Sequence, residues 1–447
     1  MTLPSPAHRT GPVNVLLIGG GGREASIAWK LRQSTRLGTL FTTDAGNPGI
    51  AAIAKAAGVA VDPRDYFPIR SFCLKNQIGL VVVGPEDPLA TGITDALQEP
   101  LYPDAATPLV FGPTRAAARL EADKAFAKDV MRGASIPTAE ARVFTDPEAA
   151  RAFIESRSEP HVIKAAGLAK GKGVIVPTGK AEALAAIERM MVQREFGDAG
   201  RTVVIEERLK GREVSVLALV DGRNIFVLEA CQDHKRLGDG ATGPNTGGMG
   251  AICPPAVSPA LDDRLLASVE RDILVPTVDA LRREGIEFRG VLYAGLMLTP
   301  AGPKVLEFNC RFGDPECQAL MRRLRADLLE VLLATAARRL HEVEISWTPG
   351  SSVCVVLASP GYPDKPRSGL PIDGIEAAEA EDDVVVFHAG TRRDERGRIV
   401  TGGGRVLNVT ATGATPAEAR ARAYRGVERI RFEGMTYRTD IGTDVVG

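Results

Sequence analysis

Short apolar runs alternate with amphipathic stretches over residues 13–113. Val13–Ile18 and Leu109–Phe111, with 39–43 and 80–83 between them, carry the near-continuous apolar pattern of strands covered on both faces. Residues 23–32 have helical spacing instead. Buried strands alternating with helices predict a parallel sheet with helices on its faces. Glycine- and proline-rich turns at 19–22, 46–49 and 84–88 follow the strand ends. In open α/β sheets, ligands bind at those carboxyl ends.

After residue 114 the pattern changes. Residues 115–131 read as one long amphipathic helix, and 161–177 as strand, glycine loop, strand. Further strands are expected at 203–207, 213–220, 290–298 and 303–309, with helices at 262–284 and 320–340. The remainder is strand-rich, at 351–358, 384–389 and 405–412, and closes with a helix at 416–430. The fold class is therefore α/β and α+β multidomain. A flexible segment (1–12) precedes an N-terminal parallel-sheet α/β domain (13–114), a central domain (115–340) and a strand-rich C-terminal domain (341–447).

Composition narrows the function. The 447 residues suit about three domains. Lys and Arg total 55 against 56 Asp and Glu, a net charge of −1, which argues against a general nucleic-acid binder. No apolar run approaches the length of a transmembrane helix, and the first twelve residues do not read as a signal peptide. The six cysteines are scattered without a CxxC and read as reduced thiols, so the expected compartment is the cytoplasm. The five histidines show no HExxH spacing, so a zinc site is not expected.

Four segments carry candidate chemistry. Gly20-Gly21-Gly22-Arg23-Glu24-Ala25 satisfies G-x-G-x-x-A between a strand and a helix. A phosphate site at a helix N-terminus is its preferred reading. A plain packing turn ranks second, and a dinucleotide site with Asp44 on a ribose third. Residues 167–173 read Gly-Leu-Ala-Lys-Gly-Lys-Gly, which lacks P-loop spacing and leads into a strand. That suits a basic hairpin folding over phosphates as a lid. Lys164, just before it on an apolar strand, is costly there without an anionic partner. On the strand at 303–309, period two puts Glu307 and Asn309 on one face, opposite Leu306 and Phe308. Two adjacent oxygen ligands suit Mg²⁺ completed by phosphate oxygens, and Arg311 and an acidic turn, Gly313-Asp314-Pro315-Glu316, follow. Finally, Asp233-His234-Lys235-Arg236 leads into the glycine-dense stretch 238–250, read as a substrate loop whose backbone approaches a ligand.

Several of these segments, in order, resemble the phosphoribosylamine–glycine ligases, ATP-grasp enzymes of purine synthesis. The resemblance rests on Gln232–Arg236, Gly243–Gly250, Gly290–Met297 and Glu307–Glu316, with Phe111–Thr114, Gly390-Thr391 and Gly402–Val406 in support, and spans nearly the whole chain. It implies an ATP-grasp fold for 115–340, with a lid at about 136–204. It implies ATP, with Mg²⁺ or Mn²⁺, joining glycine to 5-phosphoribosylamine through glycyl phosphate. Lys124, Lys164, Gly167, Lys170, Gly171, Lys172 and Gly173 would hold ATP phosphates. Glu206, Glu207 and Leu209 would contact adenine, mainly by backbone, and Glu213 the ribose. Glu307 and Asn309 would bind the metal, and Arg311 would stabilise the transferring phosphoryl group. Asp233, His234, Lys235, Arg236, Asn245, Thr246, Gly247, Gly248, Met249, Gly250 and Asp314 would surround glycine. Arg23, Glu24, Asn47, Gly49, Glu86 and Asp87 would take phosphoribosylamine. No nucleic acid or membrane partner is expected, and a monomer is.

The chain departs from the family pattern at Ala25, where His is usual, at Ala166 and Lys170 in the ATP loop, and at Ala122-Asp123 before Lys124. The first departure bears on acceptor binding. Three rivals remain: another ATP-grasp ligase or carboxylase, an NAD-dependent oxidoreductase built on 19–25, and a catalytically silent nucleotide-binding regulator, against which the intact metal strand argues. The 233–250 loop argues against the first; the lid and the Glu307/Asn309 pair argue against the second.

Overall fold

The computed structural model describes residues 11–169, 172–255 and 263–443. Lys170 and Gly171 of the lid loop, most of segment 1–12, the first residue of the 262–284 helix and the last four residues lie outside the described residues.

The N-terminal sheet is parallel, in the order Lys55–Ala56, Leu37–Thr42, Val13–Ile18, Ile78–Val83, Leu109–Phe111. Val13, Val15 and Leu17 enter one core and Leu16 and Ile18 another, so the central strand is buried on both faces as its apolar run requires. The chain leaves Val13–Ile18 to one side and returns through Ile78–Val83 on the other. The turns at 19–22 and 84–87 therefore flank the topological switch point, where such sheets form a crevice.

An antiparallel sheet follows, ordered Ile225–Val227, Arg212–Asp221, Arg289–Thr299, Gly302–Asn309. Facing it is the sheet Ala141–Phe144, Val203–Glu207, His161–Ala165, Val174–Ile175. The fourth sheet joins Gln232–Asp233 and Gly250–Cys253 to Ser351–Ala358, Arg405–Gly413 and Val384–His388. Both ends of the 233–250 loop are thus strands of the C-terminal sheet, well before residue 341 in the chain.

Three sequence expectations are corrected. The 115–131 helix is two helices, Arg115–Ala122 and Lys124–Gly133, broken at Asp123, whose extended backbone lets its carboxylate cap the amides of Ala125 and Phe126. The break sets Lys124 at a helix start. The 320–340 helix divides likewise into Glu316–Arg323 and Leu328–Ala336, with Asp327 capping the second. Third, Leu306 does not share a core face with Phe308. The ladder pairs Gly295 with Glu307 but Leu296 with Val305, so Leu306 is an extra, bulged residue. Val305 and Phe308 are buried, while Leu306 is half-buried and turned toward the cavity.

Candidate active site

A cavity of about 680 Å³ lies where the lid sheet, the antiparallel sheet, the switch-point turns and the 233–247 loop meet. That is ample for a nucleotide and small substrates.

At its lid end the wall is a buried lattice of lysines and carboxylates. Lys164 donates to the Leu306 carbonyl at 2.9 Å, using the bulged residue as its anchor, and pairs with Glu206. Glu206 also pairs with Lys128 at 2.7 Å, and Lys128 donates to Thr138 Oγ1. Burial pushes the Glu206 carboxyl up, but Lys164 and Lys128 outweigh it and hold it ionised below its ordinary range. Lys124 and Lys128 titrate low because burial penalises their charge, only partly offset by Glu307 and Glu206 respectively. A polyanion brought to this wall would relieve that penalty.

Glu307 is the focus of the cations. Burial raises its carboxyl, and Lys235, Lys164, Lys124 and Arg311 together pull it down to about 2. Lys235 lies 3.4 Å from Glu307 and 3.7 Å from Glu213, and these acids hold its ammonium well above the ordinary range against the cost of burial. Arg311 is gripped by Glu121 at 2.8 Å and Glu86 at 3.3 Å, and donates to Asn309 Oδ1 at 3.3 Å.

The opposite end is tied by the C-terminal sheet. Arg405 donates to the carbonyls of Gly247 and Asp314, both at 2.5 Å, and the Gly247 amide donates to Tyr362. Asp233 is pushed well up by burial and by Glu316, opposed by Lys235 and Arg405. Glu316 accepts from Ser215 at 3.0 Å and Tyr293 at 2.8 Å. Asp314 is drawn down by Arg405 and Arg23 despite its burial.

The structure brings Lys124, Lys164, Gly173, Glu206, Glu207 and Leu209 to one wall of the cavity. Glu213, Lys235, Glu307, Asn309 and Arg311 line its middle; Arg23, Glu86, Asp87 and Asp314 reach it from the switch-point side. Asp233, Arg236, Asn245, Thr246 and Gly247 complete the loop wall.

Other expected site residues do not line it. Met249 is fully buried, Gly250 lies in a strand, and His234 is buried with its ring nitrogen 3.3 Å from the Gly250 carbonyl. Gly248 has φ +114°, and a Cβ there would come within 2.6 Å of Asp233 and Pro315. These four residues shape the loop from behind. Asn47 caps the helix Pro48–Ala51 and donates to the carbonyls of Gly20 and His388, tying the N-terminal sheet to the C-terminal one. Gly49 is a glycine because a Cβ would press on His388. Glu24 accepts from the Gly21 amide at 2.7 Å and pairs with Arg23. Gly167 and Lys172 lie in the lid loop without lining the cavity wall, where Leu168 and Ala169 do.

The phosphate reading of 20–22 meets the same obstacle. Glu24 takes the Gly21 amide, Asp314 the Arg23 amide at 3.4 Å, and Gly22 abuts Asn408 and Gln318. The carboxylates thus occupy two of the amide donors that a phosphate at this turn would use. Ala25 packs with Ile50 and Phe387 in a small apolar cluster, so this departure from the family pattern sits in packing and not in the cavity.

Comparison with known proteins decides the family. Models of phosphoribosylglycinamide synthetase match in three parts: the N domain over residues 13–121, the ATP-grasp (A) domain over 122–317 and the C domain over 352–444. The chain belongs to the phosphoribosylamine–glycine ligase family. It is 49% identical over 435 residues to the phosphoribosylamine–glycine ligase of Rhodopirellula baltica, covering 96% of this chain and 97% of that protein. The Nostoc ligase is 49% identical, at 96% and 99% coverage. The crystal structure of the Thermotoga maritima ligase superposes with a TM-score of 0.80 at 34% identity, covering 96% of this chain and all of that one. A biotin carboxylase domain from Hydrogenobacter thermophilus, crystallised with MgADP, shares the fold at 16% identity and a TM-score of 0.70.

Within this family frame, the cavity includes side chains that sequence reasoning passed over: Glu121, Lys128, Tyr293, Glu316 and Arg405. Lys128 had a local signal, four residues after Lys124 on the same helix face. Glu316 and Arg405 stood inside motifs already singled out. Tyr293 likewise stood inside Gly290–Met297, and only Glu121 had none, since its partners Cys310 and Arg311 are remote in sequence.

Proposed function

We propose that the cavity joins glycine to 5-phosphoribosylamine at the expense of ATP, giving glycinamide ribonucleotide, ADP and phosphate. The observation that carries this is the ring of Lys124, Lys164, Lys235 and Arg311 around the ionised Glu307, in one cavity with the switch-point turns and the 233–247 loop.

Lys124 and Lys164 bind the triphosphate, with Lys128 and Glu206 holding Lys164 in place. The lid loop closes over the phosphates, and the Glu206–Leu209 segment meets adenine by its backbone. Glu213 takes the ribose. Glu307 and Asn309 fit a hard divalent cation: one is a carboxylate held ionised, the other a neighbouring amide oxygen. A cation held by these two residues would take its remaining ligands from phosphate oxygens and water. Mg²⁺, or Mn²⁺ in its place, would neutralise phosphate charge there.

A glycine carboxylate oxygen attacks the γ-phosphorus, the bond to the β-phosphate oxygen breaks, and ADP leaves. Arg311 stabilises the charge on the transferring group. The acceptor amine then adds to the carbonyl carbon of glycyl phosphate; the carbon–oxygen bond to phosphate breaks and the amine loses a proton. Asp233, Asp314 and the loop wall 245–247 hold glycine, while Arg23, Glu86 and Asp87 face the acceptor. No side-chain nucleophile is required. All six cysteines are free and buried, which fits the cytoplasm.

The test is ADP release that requires glycine and freshly made phosphoribosylamine together. Equal release with bicarbonate in place of glycine would favour a carboxylase, whose fold this chain shares.

A further inference from the structure

We infer that Glu121 is the positioning residue of Arg311, an inference that rests on the phosphoryl-transfer role given to Arg311 above. Glu121 closes the helix Arg115–Ala122 and is 8% exposed. One carboxylate oxygen accepts the Cys310 amide at 2.7 Å; the other pairs with the Arg311 guanidinium at 2.8 Å. The carboxylate is therefore fixed to the main chain one residue before the side chain it grips. It cannot swing without breaking the backbone bond, so the guanidinium is held relative to its own strand end, beside Asn309 and Glu307.

The second carboxylate on Arg311 is of another kind. Glu86 comes from the switch-point turn, is 28% exposed at the side chain, and is shared with Arg23 at 3.9 Å. Arg311 thus has one partner that is buried and main-chain-bound, and one at the cavity wall that an arriving substrate can draw away. The buried partner sets the direction of the guanidinium when the exposed one is engaged elsewhere. Misplacement of such a group by about 1 Å can cost on the order of 10²-fold in rate.

The experiment is a double-mutant cycle on kcat with Glu121→Gln and Arg311→Ala. Glutamine keeps an oxygen for the Cys310 amide and loses the charge on Arg311. Glu121→Gln should lower kcat by about tenfold or more, with KM for ATP and glycine within about threefold. It should add little further loss once Arg311 is alanine, and Glu121→Asp should recover part of kcat. Melting temperature and the Kd for ATP serve as fold controls; if Glu121→Gln does not fold, the cycle is run with Glu121→Asp. Losses that multiply fully in the double variant would overturn the inference, because Glu121 would then act independently of Arg311. A wild-type kcat in Arg311→Ala alone would remove the phosphoryl reading of Arg311, and this inference with it.

Discussion

At the lid end of the cavity the chemistry rests on long charged side chains from strands and one helix; at the switch-point end it rests on turns. Lys124, Lys164, Glu206 and Glu307 all reach the cavity wall. Of the residues expected at the acceptor, Asn47 and Gly49 instead brace the N-terminal sheet against the C-terminal one, and Glu24 closes its own turn on the Gly21 amide. The difference has a physical cause. A charge on an apolar strand has few places to go, so its presence already implies a partner or ligand. A polar residue in a turn can be satisfied by nearby backbone, and Asn47 is, through the amides of Gly49 and Ile50.

Breaking the charged end should have the largest effect. Glu307→Gln keeps size and loses the anion, so activity should collapse by on the order of 10²-fold or more, with weaker Mg²⁺ dependence and an unchanged melting temperature. Its counterpart is Val305→Asn, two residues back and fully buried, which should lower stability by on the order of 3 kcal/mol. Unaltered Mg²⁺ dependence in Glu307→Gln would mean the metal strand is misassigned. Leu306→Asn should be mild by comparison, because the bulge turns Leu306 to the cavity.

Arg311→Ala should lower kcat by on the order of 10²-fold while KM for glycine moves far less, since its charge matters most as the phosphoryl group transfers. A rise in KM alone would make Arg311 a ground-state binder.

At the turn end, Asn47→Ala should cost about 1–2 kcal/mol in stability through the lost cap and the unpaired carbonyls of Gly20 and His388, with KM for ATP unaffected. An unchanged melting temperature combined with a large rise in KM for phosphoribosylamine would return Asn47 to the acceptor site. The same junction should be pH-sensitive. Burial, with Arg393 nearby, lowers the His388 imidazole from 6.5 to about 4. The folded state then binds fewer protons than the unfolded chain between those values, so stability is full above about pH 6.5 and falls toward pH 4. Chemical denaturation across that range should show the slope, and His388→Gln should flatten it.

The smallest effect concerns the lid. Amide exchange at Leu168, Ala169, Lys172 and Gly173 should slow when an ATP analogue binds. Equal protection with and without it would remove the lid role.

Much of the fold was legible from local pattern. Val13–Ile18, His161–Ala165, Val203–Glu207 and Ser351–Ala358 are strands at the predicted bounds, because continuous apolar runs are satisfied only when both faces are covered. Helix breaks at Asp123 and Leu324–Asp327 were not, since a carboxylate capping the next helix competes with a propensity that favours continuing. At the site, the sequence alone determined that Lys164, on an apolar strand, needed an anionic partner, and that Glu307 and Asn309 share one strand face just before Arg311. Only the tertiary structure decided what the partners are. Glu121 meets Cys310 across 189 residues, Lys164 meets Leu306 across 142 and Arg405 meets Gly247 across 158. Local periodicity carries no information over such distances. It could not place the bulge at Leu306 either, because one extra residue in a ladder is fixed by the strand it pairs with.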